Sequence, residues 1–314
     1  MSDEEGAAPV QEAETEAEAE PVAETEPEKV KPKTITDDVC VAMNAEMFKD
    51  LFDLATAVII SEVQMQIKDD GLYVRQMEEV HICLTDMFIP KSYFVKLKQG
   101  QQVKELVLNV EEMRAILRKL YGGDIVEFTV VKGKLHIEIE GKRMRVFNVP
   151  LIESEETERR IPKIPTAVRV KTSIEGLLLG LEDAQTLLNK GQKGKKKANI
   201  YGQVSLTTEP MGLKIESLTD DEMRSSGAML TSGWDIMQFE GKMNQSVSVA
   251  IPYLMGITKA VSKATNMVQI EYTADMPLHI IAELPFKGMV LEFWIAPRIR
   301  IEGEVKGGES KVES

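Results

Sequence analysis

The chain has 314 residues, 43% hydrophobic and 28% charged, with a net charge of −13, enough for two ordinary domains with cores of their own. It contains no run of 18 apolar residues and opens with no basic-then-apolar signal pattern, so neither a membrane-spanning helix nor a secretory leader is expected. A cytosolic or nucleoid location follows, cytoplasmic in a prokaryote and nuclear in a eukaryote.

The acid is concentrated at one end. Residues 1–33 carry eleven acids against Lys29, Lys31 and Lys33, a net −8, and no aromatic residue. Such a segment cannot bury enough apolar surface to offset the entropy of ordering. Residues 1–36 are therefore expected to be a disordered, self-repelling tail. Everything else shares a charge of only −5, which removes the objection to a nucleic-acid partner.

A first domain is expected over 37–152. A strand runs into an amphipathic helix starting near Ala45. The stretch "DDGLYVRQM" (69–77) is a Gly turn followed by an alternating strand, and "LNVEEMRAILRKL" (108–120) has helical i, i+3, i+4 spacing. Strands follow as far as "VPLIE". Cys40 and Cys83 lie in apolar strand-like contexts and read as reduced core thiols, with a disulfide as the competing reading. Charges and two prolines make 153–166 an extended linker.

A second domain, 167–303, repeats the plan, and 304–314 forms a flexible C-terminal tail. Ser173 is a plausible N-cap for the helix in "SIEGLLLGLEDAQ". Next come a Gly turn and strand, "EPMGLKIESL" (209–218), and a helix, "VAIPYLMGITKAV" (249–261). Gly71 to Met113 spans 42 residues, and so does Gly212 to Leu254. Matched spacing of unlike residues points to a duplicated α+β fold.

Several pieces in order, "DGLYVRQMEEVHICLTDM", "LNVEEMRAILRK", "VPLIE", "ADMPLHIIAELPF" and the terminal "FWIAPRIRIE", make the chain similar to the sliding clamps of the PCNA (proliferating cell nuclear antigen) family from Asp38 to Glu302. It departs from the family ending by Ile295 for the usual Leu and by an extra Arg300-Ile301 pair. The resemblance implies two similar clamp domains, with sheets outside and two helices each lining the hole of a trimeric ring. It implies double-stranded DNA, bound without sequence preference, as one partner and the chain itself or sister clamp subunits as others. Clamp loader, DNA polymerase, flap nuclease and DNA ligase would dock through short peptides, with no cofactor and no membrane. Subunits would pair edge to edge through 142–149 and 225–232, using Arg145, Phe147, Val149, Gly227 and Met229.

Carried over position by position, the family's partner groove has Met77, His81, Ile82 and Leu84 on one wall. Ile161, with Ile164 as the weaker assignment, comes from the linker, and Pro277, Trp294, Ala296 and Pro297 form the floor and far side. Trp294 stands where a smaller aromatic is usual, which implies partner preferences of its own. Trp294→Ala is expected to abolish docking and leave the ring intact.

A sliding clamp lines its hole with cations because phosphate contact is electrostatic. Arg114, Arg118 and Lys119 on one helix and Lys259 and Lys263 on another comply. The two remaining helices do not. One has Lys49 against Glu46, Asp50 and Asp53; the other has Glu175, Glu182 and Asp183 and no base. Between the halves' matching points lies an insertion, "NKGQKGKKKANIY", with Lys190, Lys193, Lys195, Lys196 and Lys197, either a solvated loop or a DNA-contacting one. It is not a phosphate-binding loop, since its glycines are too close and no Ser or Thr follows the Lys. Neutralising the five lysines is expected to lower DNA affinity and flatten its salt slope, by about 0.9 per lost phosphate contact. A filter-binding titration over salt reads it, and an unchanged slope dismisses DNA contact.

An enzyme is not expected. His81, His136 and His279 stand at no ligand spacing, and no G-x-S-x-G or G-x-G-x-x-G is present. Two non-enzymatic readings remain: a working processivity clamp, or a clamp-like paralogue that joins a heterotrimeric ring or modulates its assembly.

Overall fold

The computed structural model describes residues 39–58, 60–100, 104–131, 133–152, 160–188, 202–218 and 225–298. The acidic tail, the lysine-rich insertion, most of the linker before Arg160 and the segment from Ile299 onward lie outside them.

The first half runs β1 (Cys40–Asn44), α1 (Ala45–Ala55), β2 (Glu62–Ile67), β3 (Gly71–Met77), β4 (Cys83–Pro90), a 3-10 turn (Lys91–Tyr93), β5 (Phe94–Lys98), β6 (Glu105–Asn109), α2 (Val110–Leu117), β7 (Ile125–Val131), β8 (Lys134–Glu140) and β9 (Arg145–Pro150). The second half runs β10 (Val168–Ser173), α3 (Ile174–Gln185), β11 (Gln203–Glu209), β12 (Gly212–Leu218), β13 (Ser225–Thr231), β14 (Ile236–Gly241), β15 (Ser246–Ala250), α4 (Ile251–Val261), β16 (Met267–Tyr272), β17 (Leu278–Ala282) and β18 (Val290–Ile295). Apart from the 3-10 turn, the two halves match element for element, as the spacing predicts. Helix α2 stops three residues short of the predicted end at Leu120, and α4 ends at Val261, so Arg118, Lys119 and Lys263 follow their helices rather than belong to them.

Helix starts follow from local chemistry. Asn44 Oδ1 accepts from Met47 N at 3.0 Å, Asn109 Oδ1 from Glu112 N at 3.0 Å, and Ser173 Oγ from Gly176 N at 2.9 Å. Each satisfies an amide that a helix start leaves orphaned. α4 lacks a side-chain cap and has Pro252 in its first turn, where a missing N–H costs nothing.

Three antiparallel sheets result: β5-β1-β7-β8-β9, β13-β12-β11-β15, and a nine-stranded sheet β14-β10-β16-β17-β18-β4-β3-β2-β6. The last fuses the five-stranded sheet of the second half to the four-stranded sheet of the first. Its seam is β18 on β4, six residue pairs from Val290–Phe88 to Ile295–Cys83. The helices pack their apolar faces on one side of the sheets. On α1, Phe48, Leu51, Phe52 and Leu54 are buried, and Phe48 packs on Phe128 with ring centroids 4.8 Å apart.

The repeat holds at atomic detail. A Cβ on Gly71 would run into the Ile89 carbonyl, and one on Gly212 into the Leu230 carbonyl, so matching glycines sit under matching strands. Gly212 also has φ +151°, a conformation L side chains rarely adopt. Cys40 and Cys83 are free thiols, and burial pushes both above the ordinary thiol pKa. They are inert packing residues.

Candidate functional site

Of the proposed groove residues, Met77, Leu84 and Trp294 line up where the two halves meet, with Ile82 and Ala296 joined beside them. Cross-strand register sets one row over seven strands: Met77, Leu84, Trp294, His279, Glu271, Arg169 and Glu240. The row changes character along its length. Its Met77 end is apolar. Its Glu240 end is an ion-pair ladder, with Arg169 Nε 2.7 Å from Glu271 and Arg169 Nη1 3.1 Å from Glu240. For Glu271, burial favours the neutral acid, but the hydrogen bond and charge of Arg169, with the Thr166 hydrogen bond, together outweigh it and hold the carboxyl below its ordinary value.

His279 joins the two ends. Its ring stacks on Trp294 at 4.5 Å and 7°, its Nε2 lies 2.9 Å from Glu292, and its Nδ1 lies 3.5 Å from Glu271. Trp294 is consequently only 4% exposed, and Leu84 beside it is buried too. The sequence suggests Trp294 as part of the groove's floor and far side; the structure buries it beneath the surface, as a support.

His81, Ile82, Ile161, Pro277, Ala296 and Pro297 are more accessible. His81 and Ile161 are exposed, and the other four are half-buried. Ala296 N donates to Ile82 O at 2.7 Å, which brings the chain's last described segment against the 78–82 loop. The linker enters alongside: Thr166 Oγ1 donates to Glu271 at 3.2 Å, and Ala167 N to Thr273 Oγ1 at 3.0 Å.

One residue escapes sequence reasoning. Glu78 is 3% exposed, and its carboxylate accepts from the backbone N–H of Val80 at 2.7 Å, of Cys83 at 3.2 Å, and of Ile82. These bonds close a loop in which His81 adopts φ +59°. An acid ahead of a short polar turn is too common a pattern to reveal this. Glu78→Ala leaves three amides to find new partners, and each unsatisfied one costs about 1–3 kcal/mol. We expect the 78–82 loop to lose its shape and peptide affinity to fall at least tenfold. Amide hydrogen exchange confined to 78–83, read with a binding titration, checks this.

The predicted subunit-contact residues sit on two strands that end their sheets, β9 and β13. Phe147 and Val149 are half-buried against the core, Gly227 is exposed and Met229 half-buried. Arg145 folds back onto its own chain. It pairs with buried Asp124, donates to the Lys119 carbonyl and covers the Tyr121 ring at 5.3 Å.

All six predicted DNA-facing cations, Lys49, Arg114, Arg118, Lys119, Lys259 and Lys263, are exposed. Arg114, Lys259 and Lys263 share a cleft of about 460 Å³ between α1 and α4 with Asp50, Asp53 and Phe286. Arg114 Nη2 also donates to Thr56 O at 3.2 Å and Thr56 Oγ1 at 3.0 Å, holding the C-terminus of α1. On α3 the exposed face carries Glu175, Leu179, Glu182 and Asp183. The five insertion lysines lie outside the described residues. Among those described, no helix is long and apolar enough to cross a membrane.

A duplicated α+β unit with helices on one side, fused sheets on the other and a free strand at each end defines a DNA-clamp architecture. The solved structures it superposes on are clamps. They include PCNA of Thermococcus kodakaraensis (TM-score 0.69, 18% identity, 82% of this chain and 99% of that one), a PCNA2–PCNA3 complex of Sulfolobus tokodaii (0.67, 19%, 82% and 99%), and A. fulgidus PCNA with the C-terminal region of FEN-1 bound (0.66, 20%, 84% and 100%). No family model matches the chain. Its sequence relatives are DNA polymerase sliding clamps: sliding clamp 1 of Pyrobaculum aerophilum, 24% identical over 262 residues (83% of this chain, 98% of the relative), and the clamp of Thermococcus sibiricus, 27% over 259 residues (81% and 96%). The chain is a homologue of the sliding clamps and has the PCNA fold.

Proposed function

We propose that the chain is a DNA polymerase sliding clamp: a processivity factor that encircles duplex DNA as a trimeric ring and tethers replication and repair enzymes at the outer-face groove. The observation that carries this reading is the seam inside the chain. There β18, the last strand of a five-stranded sheet, pairs with β4, the first of a four-stranded one. The equivalents of those two strands in the other halves are β9 and β13, and both are left as sheet edges. Such edges are a liability in a monomer. A second copy satisfies them with the same pairing the chain already uses, and a head-to-tail contact of this kind closes into a ring.

Retention on DNA tests the reading. Loaded on nicked circular plasmid, the protein should stay through gel filtration and be lost once the plasmid is cut. Retention that ignores linearisation would contradict encirclement. Flap nuclease is the best-supported peptide partner, through the FEN-1 complex of the A. fulgidus clamp; clamp loader, polymerase and ligase would use the same groove.

A mixed ring is the second reading. It is favoured by the acidic exposed face of α3 and by the two-clamp complex of S. tokodaii. Light scattering separates the two: a trimer from this chain alone supports the first, a monomer that assembles only with a sister clamp the second.

A further inference from the structure

Trp234 is 83% exposed, the most exposed large apolar side chain among the described residues, and nothing above uses it. It is rigidly presented. Its own N–H donates to Thr231 O at 3.4 Å, and Gly233 turns the chain with φ +88°. Asp235 anchors the turn: its carboxylate accepts from Thr231 N at 3.2 Å, and its carbonyl from Ser173 N at 2.8 Å and Thr172 Oγ1 at 2.9 Å. A lone exposed aromatic is ordinary on a protein surface; what makes this one informative is its place in the repeat.

The repeat supplies a partner. In the first half, the turn after β4 carries Tyr93, whose ring meets Phe286 edge-on at 5.9 Å and whose hydroxyl donates to Lys287 O at 3.2 Å. Phe286 and Lys287 belong to the loop before β18, on the far side of the seam. Trp234 lies on the matching turn after β13, and the matching loop, Gly141–Met144, precedes β9. Its residues are exposed, Met144 by 64%. Within one chain, β13 and β9 end different sheets.

We propose that Trp234 is an anchor between copies of this chain, packing on the Lys142–Met144 turn of the next copy as Tyr93 packs on Phe286 and Lys287 inside the chain. The chemistry fits. An indole face suits a guanidinium such as Arg143 or a thioether such as Met144, and the indole N–H can reach a loop carbonyl as the Tyr93 hydroxyl does. Buried Trp residues commonly dominate such contacts. The proposal rests on the ring reading above.

Trp234 and Trp294 are the chain's two tryptophans, so Trp294→Phe leaves Trp234 as sole reporter. Iodide quenching of its fluorescence is followed over protein concentration beside the mass by light scattering. The expected result is that quenching falls as mass rises from monomer to ring. In the otherwise native chain, Trp234→Ala should raise the concentration of half-assembly at least tenfold, while Met211→Ala, exposed on the adjacent turn, should leave it unchanged. A chain that assembles with Trp234 equally quenched, or with Trp234→Ala assembling like wild type, overturns the anchor and leaves the ring standing. A wild-type chain that stays monomeric throughout overturns the homomeric ring and the anchor with it.

Discussion

The Met144→Lys/Met229→Lys double variant should remain monomeric at concentrations where the wild-type chain assembles, and Met144→Lys/Met229→Glu should assemble again. The choice of pair comes from the register of the internal seam. Val290 faces Phe88 there. Met144 stands five residues before Val149 as Val290 stands five before Ile295, and Val149 and Ile295 pair with the equivalent residues Leu135 and Leu278. On the other strand, Phe88 pairs with Tyr73 and Met229 with Lys214, each two positions on from the matching glycines Gly71 and Gly212. Transferred between copies, the register sets Met144 opposite Met229, with Cβ atoms about 5 Å apart. Like charges so placed in an interface cost several kcal/mol, and ring closure meets that cost at every seam. Both positions are open or half-open in the single chain, so folding should survive. Sedimentation equilibrium reads the outcome, and a double-lysine variant that assembles normally would refute the register.

Trp294→Ala should cost about 3–5 kcal/mol of stability, the range for truncating a buried large aromatic, and lose peptide docking in the same step. Sequence reasoning expects a clean loss of docking, because it treats Trp294 as groove lining. The indole instead fills the space between Leu84 and His279 on adjacent strands, and its removal leaves a void between them. Urea unfolding should show the loss directly, with Trp294→Phe recovering part of it. Groove chemistry is better read from Ile161→Ala, whose side chain is 38% exposed. That change should weaken a flap-nuclease-type peptide severalfold by calorimetry and leave the unfolding midpoint in place. Unaltered affinity would move the groove away from the linker.

The difference between these two residues shows what patterns in a sequence can carry. Equal spacing from Gly71 to Met113 and from Gly212 to Leu254 was enough for the duplicated fold, because turn glycines and helix stripes are local requirements. The Ser173 cap was legible for the same reason. Alternation in β18 likewise says that Leu291, Phe293 and Ile295 share a face and that Trp294 lies on the other. It cannot say what covers that other face. His279, fifteen residues before Trp294 and in no recognisable motif, meets it only through strand pairing. Glu78 and the Arg145–Asp124 pair are hidden for a related reason: their partners are backbone amides or residues on another element, and neither leaves a periodic trace.

The segment after β18 has a mechanical consequence. Ala296 N binds Ile82 O at 2.7 Å in the first half, and Arg298 N then binds Ser248 O at 2.7 Å in the second, so the chain laces over its own joint. These two backbone bonds tie the end of β18 to both halves, so the β4–β18 seam should resist peeling from that end and open first at the other, between Val290 and Phe88.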